Sequence, residues 1–345
     1  MLPLPTLQHA TARDGVRIAF HTLGQGPAVV MLFPYHVSHL SLNWRVGLHR
    51  HAFEFLARRF MVVNLDLRGG GESERRVADV SLEAFDLDVD AVLSRLAVER
   101  ACLCAMGPAG LVACHFALHA PERVAGIAFI QGGDSAANGQ LLKLRSSNTD
   151  LEARLRGGLL GGADDQQNAL ALAAAARQAL EPETLDAWQR VLDGNRVDAL
   201  AAKIAAPALC LQAPDDQLVP AAATESLARS LRNATLLPVR AATGMQIWRD
   251  DSALEALDDF FCKQLGVSRD DPIRARRRRA APGGLTEREI AVLRLVAAGK
   301  TNGQIGAELY ISTNTVSHHL RSIFGKTRAA NRTEAAAFAH QHGLS

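Results

Sequence analysis

Six short apolar runs, each five to seven residues long, recur through the first 240 residues: Ala28–Phe33, Phe60–Leu65, Ala101–Ala105, Val124–Ile130, Ala208–Gln212 and Thr235–Val239. Gly, Pro or Asp stands at or near their ends, and stretches with helical spacing of apolar residues lie between several of them. Runs without polar alternation bury both of their faces, which demands helices above and below a parallel sheet. The pattern predicts an α/β domain over residues 1–265. An Ala/Leu-rich, helix-favouring stretch over about 135–200 interrupts the alternation and is long enough for a lid of several helices.

The other bulk properties restrict compartment and partners. No stretch reaches the ~18 apolar residues of a membrane helix, and the N-terminus lacks a basic segment followed by an apolar one, so a cytoplasmic protein without membrane contact is expected. The five cysteines include no Cys-x-x-Cys pair, which argues for a reducing compartment and against a disulfide framework or a zinc site. Neither a cofactor nor a metal is expected. The net charge of +2 conceals a division: residues 1–265 hold 25 Lys and Arg against 30 Asp and Glu, whereas residues 266–345 hold 13 against 6. A basic end on an acidic body points to an anionic partner at that end. Residues 266–284 read as an exposed linker, and the run Arg274-Ala275-Arg276-Arg277-Arg278-Arg279 within them is either a solvated spacer or a phosphate-contacting arm.

From Leu285 onward the helix punctuation is dense. Thr286-Glu287-Arg288-Glu289 is a capping box, Ile290, Leu293, Leu295 and Val296 follow at helical spacing, and Gly299 is placed to stop the helix. A second short helix is expected over about 302–309. Ser312 is placed to cap a third that carries Val316, Leu320, Ile323 and Phe324 on one side, and Asn331-Arg332-Thr333-Glu334 opens a fourth. A tight turn between the second and third makes a helix-turn-helix unit. Leu285–Glu289, Gly299–Asn302, Ile305, Leu309–Ser312, Thr315, Val316, His319, Ile323, Lys326, Asn331 and Arg332 together resemble the LuxR/NarL-type DNA-binding domain over residues 285–345. Gly306 and Thr327 depart mildly from that pattern. The resemblance implies an all-α four-helix domain whose recognition helix is 313–326. Ser317, His318 and Arg321 would face bases, and Asn302, Thr313, Asn314, Thr315 and Lys326 would lie on or near phosphates. His319 is either a packing residue or a phosphate contact. In relatives the fourth helix mediates dimerisation, so double-stranded operator DNA and a second copy of the chain are the implied partners, with RNA polymerase a further contact.

The large domain carries a second resemblance. Asp66-Leu67-Arg68-Gly69-Gly70-Gly71-Glu72-Ser73 is similar to the Asp-x-Arg-Gly-x-Gly-x-Ser signature of α/β-hydrolases, as are Asp14-Gly15-Val16, Pro121–Val124 and the Pro207 strand followed by Asp215-Asp216. Ser38, His39, Leu40 and Trp44 resemble a bacterial branch of these proteins often fused to regulatory domains. The chemistry of the fold needs a nucleophile on a strained strand–turn–helix elbow, a histidine to take its proton and an acid to orient the histidine. Here the elbow is Ala105–Gly110 with Gly107 at the nucleophile position, Asp216 is the acid, and Met245 stands where the histidine belongs. Two of three triad members are missing, and the domain is expected not to be an enzyme. A Cys104 or Cys114 nucleophile with His36 as base is the alternative, although a buried cysteine ordinarily behaves as a small hydrophobe. The position left by the triad is expected to be roomier and less polar, lined by Tyr35, His36, Met106, Gly107, Pro108, Gln131, Asp216, Met245 and Trp248, with Trp188 contributed by the lid. Asp216 itself is open to three readings: a vestigial acid, a ligand anchor or a partner of Arg68. The whole reads as a regulator in which a disarmed hydrolase domain senses a small molecule and controls a DNA reader. The alternatives are a bifunctional hydrolase–regulator and a hydrolase-like domain that serves only dimerisation.

Overall fold

The computed structural model describes residues 4–44, 47–133, 140–141, 144, 148–161, 166–268, 282–285, 287–309 and 313–344. Arg274–Arg279, Thr286, Ser312 and the first residues of the expected lid lie outside the described residues. The chain divides into two compact units, Met1–Val267 and Ser268–Ser345.

In the first unit the elements run β1 (Gln8–Thr11), β2 (Arg17–Leu23), β3 (Ala28–Leu32), α1 (Leu40–Asn43), α2 (Gly47–Leu56), β4 (Met61–Leu65), α3 (Leu82–Arg95), β5 (Ala101–Met106), α4 (Gly110–His119) and β6 (Val124–Ile130). Four helices follow, α5 (Thr149–Gly161), α6 (Gln166–Ala179), α7 (Pro182–Gly194) and α8 (Val197–Ala201). The unit closes with β7 (Ala208–Gln212), α9 (Ala221–Ser230), β8 (Ala234–Pro238) and α10 (Asp251–Leu265). The eight strands form one sheet in the order β1-β2-β4-β3-β5-β6-β7-β8, antiparallel at β1, β2 and β4 and parallel from there on. All six expected runs are strands, within a residue or two of their expected ends.

β1 and β2 were not expected. They form a hairpin in which Thr11 pairs with Arg17, and Gly15 takes φ +90° in the turn, a conformation for which glycine is suited. The strand period of two sends alternate side chains to opposite faces. Val30 and Leu32 accordingly join the core under α3 and α4, while Val29 and Met31 join the core under α2 and α10. Helix α4 is buried from Gly110 to Ala117, which matches its almost uniformly apolar sequence.

The Asp-x-Arg-Gly turn is a structural knot. Asp66 accepts hydrogen bonds from Ser38 Oγ at 2.6 Å and from the backbone N–H groups of Leu40 and Glu72 at 3.0 and 2.9 Å. The buried Arg68 guanidinium donates to Asp88 at 2.8 Å and to Asp14 at 2.5 Å. Asp216 is therefore not the partner of Arg68; two nearer carboxylates occupy both edges of the guanidinium.

The second unit holds α11 (Glu287–Ala297), α12 (Asn302–Leu309), α13 (Thr313–Thr327) and α14 (Arg332–Gln341). Gly299 follows α11 with φ +76°. The expected cap of α14 is present: Asn331 Oδ1 accepts from Glu334 N at 3.0 Å, and Glu334 Oε2 accepts from Ala330 N at 2.7 Å. Val292, Leu293, Val296, Ile305, Val316, Leu320 and Ile323 make the core with Ala335 and Ala339. Among the described residues no helix is long and apolar enough to cross a membrane.

Candidate functional site

The turn after β5 sets the first site. β5 is central and buried along its whole length, so it delivers Gly107 to the end of the sheet at which the parallel strands finish. Gly107 has φ +51°, the left-handed geometry of a nucleophile elbow, and a Cβ placed there would meet only Pro34 Cγ, at 3.8 Å. The elbow is built, and it presents no hydroxyl or thiol. The next residue adds a second loss that the sequence already displays. In α/β-hydrolases the backbone N–H after the nucleophile helps bind the oxyanion, and here that residue is Pro108, which has no N–H.

His36, Met106, Gly107, Pro108, Gln131 and Asp216 line one cleft, together with Pro34, Leu160, Leu218, Val219 and Gly244. Its volume is about 320 Å³ with the open mouth included, and the enclosed part has room for one or two waters. The cleft is narrower than the missing triad side chains suggest, because Pro34, Leu160, Leu218 and Val219 occupy the space.

Three expected lining residues lie elsewhere. Tyr35 stacks on Trp188 of α7 at 4.2 Å between centroids and an 8° interplanar angle, and both line a separate, smaller cavity beside Arg68. Met245 and Trp248, each 1% exposed, belong to the apolar core. The reason is local: the 3-10 turn Gly244–Arg249 presents Gly244 to the cleft and turns Met245, Ile247 and Trp248 inward.

Asp216 and Gln131 are committed to the backbone. Asp216 Oδ1 accepts from the N–H groups of Leu218 and Val219 at 2.7 and 2.8 Å, and its Oδ2 accepts from Gly244 N at 2.5 Å. The acid thus ties the loop after β7 to the turn carrying Met245. Burial pushes its carboxyl above the ordinary range, and the three N–H groups pull the other way. Gln131, at φ +51°, donates to the carbonyls of Ala213 and Val219 and accepts from Ala213 N. The cysteine alternative is weak on the same grounds of environment. Cys104 and Cys114 are buried, in β5 and α4, and burial raises both thiols far from the thiolate form.

The helices α5 to α8 occupy the stretch expected to form the lid and are stitched to the body. Thr243 Oγ1 donates to Leu160 O at 2.8 Å, Gly71 N to Ala179 O at 2.8 Å and Arg75 Nη1 to Gln178 O at 2.9 Å.

In the second unit, Thr313, Ser317 and Arg321 are exposed on α13 at four-residue spacing, which puts them on one face. The side chains of Asn314, Thr315 and His318 lie outside the described residues. Ser317 Oγ accepts from Asn302 Nδ2 at 3.3 Å, and Asn302 Oδ1 accepts from Arg332 at 3.0 Å, so α12, α13 and the start of α14 share one polar network. His319 is buried. Lys326 is half engaged: its Nζ donates to both carboxylate oxygens of the buried Glu289 at 2.8 Å, and Ser322 donates to the same group at 2.6 Å. That pair fastens the recognition helix to α11, a tie that the capping-box reading of Glu289 did not anticipate.

Comparison with known proteins agrees with both units. Residues 284–339 match the family described as bacterial regulatory proteins, luxR family. The transcriptional regulatory protein LiaR of Bacillus subtilis is 47% identical over 60 residues, 17% of this chain and 28% of LiaR. An uncharacterized protein of Mycobacterium tuberculosis is 34% identical over 129 residues, 37% of this chain and 36% of that protein. The chain thus spans about a third of the length of these curated relatives. Among solved structures, the esterase RhEst1 from Rhodococcus sp. covers 75% of this chain and 99% of its own at TM-score 0.64 and 19% identity. The enol-lactonase from Burkholderia xenovorans covers 73% and 99% at TM-score 0.62 and 20% identity. The first unit therefore has the α/β-hydrolase fold, and the second carries a LuxR-family helix-turn-helix domain.

Proposed function

We propose, from a LuxR-family DNA-binding domain joined to an α/β-hydrolase fold, that this protein is a transcriptional regulator whose hydrolase-like unit is a small-molecule receptor without catalytic activity. One observation carries the reading: the nucleophile elbow is kept in shape at Gly107, yet it has neither a nucleophile nor, at Pro108, the N–H that would bind an oxyanion. A strained elbow retained without its chemistry still shapes the floor of a binding cleft. Binding of a small molecule beneath the lid changes DNA affinity to the extent that the DNA-competent and incompetent states hold it differently. Reading of a two-fold-symmetric operator by a homodimer fits the single helix-turn-helix per chain.

The narrowness of the cleft favours one competitor, a hydrolase-like unit that serves only assembly. Entry of anything larger than one or two waters requires the cleft to widen, and the Thr243–Leu160 hydrogen bond holds its lid residue in place. The deciding experiment is an operator selected from random DNA by the full chain, followed by a thermal-shift and DNA-affinity screen of small acyl esters, lactones and apolar acids. The receptor reading expects a compound that both raises the melting temperature and changes operator affinity, by roughly 5- to 150-fold for an ordinary coupling. A screen in which no compound moves either quantity removes the receptor role and leaves the assembly role. Turnover of an ester by the unmodified protein, lost on Cys104→Ala or His36→Ala, would restore the enzyme reading instead.

A further inference from the structure

Away from the cleft and the DNA-reading helix, α3 and α4 bring two imidazoles onto one carboxylate. His115 Nδ1 lies 2.8 Å and His119 Nδ1 3.3 Å from the same atom, Asp86 Oδ2. The two rings are 4.1 Å apart between centroids. One ligand atom from each of Asp86, His115 and His119 falls within 4.8 Å of the others. The i, i+4 spacing of the histidines puts both on one face of α4. Asp86 Oδ1 is buried without a hydrogen-bond partner among the described residues. The second nitrogen of His115, Nε2, stands 3.6 Å from Glu83 Oε1, one turn earlier on α3.

These are the parts of a transition-metal site. Ligand atoms 2.0–2.1 Å from a tetrahedral ion are about 3.3 Å from one another, and the two Nδ1 atoms stand 2.8 and 3.3 Å from Asp86 Oδ2. A ligating histidine ordinarily gives its other N–H to a carboxylate, which is the place Glu83 holds toward His115. The cluster also sits in the last turns of α4, where the helix dipole favours a cation. We propose that Asp86, His115 and His119 bind a divalent ion of the zinc class through Asp86 and the two Nδ1 atoms, with remaining coordination open to solvent on the side of His119, whose side chain is 58% exposed. Two nitrogen ligands select zinc, cobalt or nickel over magnesium or calcium. Ligation through Nδ1 requires each neutral imidazole to carry its proton on Nε2. The Nδ1 proton that faces Asp86 therefore gives way to the metal by a change of tautomer, which turns the His115 N–H toward Glu83. Ligation also exchanges the His119 Nδ1 contact with the His115 carbonyl, 3.0 Å away, for a bond to the metal. The ion would fasten the end of the helix that begins beside the Gly107 elbow to its neighbour α3. Cysteine spacing, on which the sequence reading relied, gave no sign of it.

The test uses the full-length chain, freed of metal by chelator and carrying no polyhistidine tag. Titration with Co²⁺ followed by visible absorption, and with Zn²⁺ by calorimetry, is expected to reveal one equivalent bound, with no heat from Mg²⁺. His119→Ala, at an exposed side chain that the fold does not need, should weaken binding by at least tenfold, and Glu83→Gln by about tenfold. Zn²⁺ should raise the melting temperature of the parent chain and not that of His119→Ala. Absence of binding at millimolar Zn²⁺ and Co²⁺, or an affinity that His119→Ala leaves unchanged, overturns the proposal.

Discussion

Gly107 has a positive φ and open space where its Cβ would be, so a serine there needs no repacking. Gly107→Ser should fold with a loss of about 1–3 kcal/mol for the strained backbone, and it should gain no esterase activity. A lone hydroxyl meets no base at Met245 and no N–H at Pro108, and recovery of an activity distributed over several groups is not additive. Hydrolysis of p-nitrophenyl acetate, compared with the buffer rate, checks this; a burst of nitrophenol would mean that the site is one residue from catalysis. Asp216 makes the complementary case, an acid that has outlived its histidine because the backbone uses it. Asp216→Ala removes the buried acceptor of the N–H groups of Leu218, Val219 and Gly244 and should destabilise the unit by about 2–4 kcal/mol in denaturant unfolding. A change under 0.5 kcal/mol would mean that water replaces the carboxylate, and the acid would again be a candidate ligand anchor.

At the scale of elements, legibility follows from how local the signal is. α14 begins at the Asn331–Glu334 cap, and Gly299 and Gly343 take positive φ just beyond α11 and α14, because capping acts within four residues of sequence. The six runs of the sheet were legible as unbroken apolar segments bounded by Gly, Pro or Asp. β1 and β2 were not, since Gln8–Thr11 is four residues of mixed polarity whose partner supplies the order. In the cleft, the inward turn of Met245 and Trp248 depends on a 3-10 turn packed against distant strands, so a motif position predicts its place in the chain but not the direction of its side chain. The recognition helix carries its own prediction. Arg321 is exposed on the face of Thr313 and Ser317, whereas Lys326 is held by Glu289. Arg321→Ala should cost about 1–3 kcal/mol on the selected operator and relax preference at one base pair. Equal weakening on every sequence would reassign Arg321 to a phosphate. Lys326→Ala should lower the stability of the second unit as well as DNA affinity, because it removes the Lys326 ammonium from the buried Glu289 carboxylate.

For the molecule as a whole, the near-neutral sum is two opposite balances, an excess of five acidic residues over 1–265 and of seven basic residues over 266–345. An acidic body repels DNA, so the electrostatic part of binding must come from the basic end alone. Among the described cations of residues 282–344, Lys300, Lys326 and Arg332 are already engaged inside the fold, whereas Arg321 is exposed. The five arginines of Arg274–Arg279 are then the largest remaining reserve of positive charge beside the reader. If they neutralise phosphates, log K against log salt should steepen by about 0.9 for each contact. Replacing all five by Gln in the full chain should therefore reduce the slope by roughly 2–4. The preference among operator variants should stay intact, because phosphate contacts carry no sequence information. A slope unchanged by the five substitutions makes the run a solvated spacer. The DNA reader would then hold its site by base contacts and dimerisation, with little help from charge.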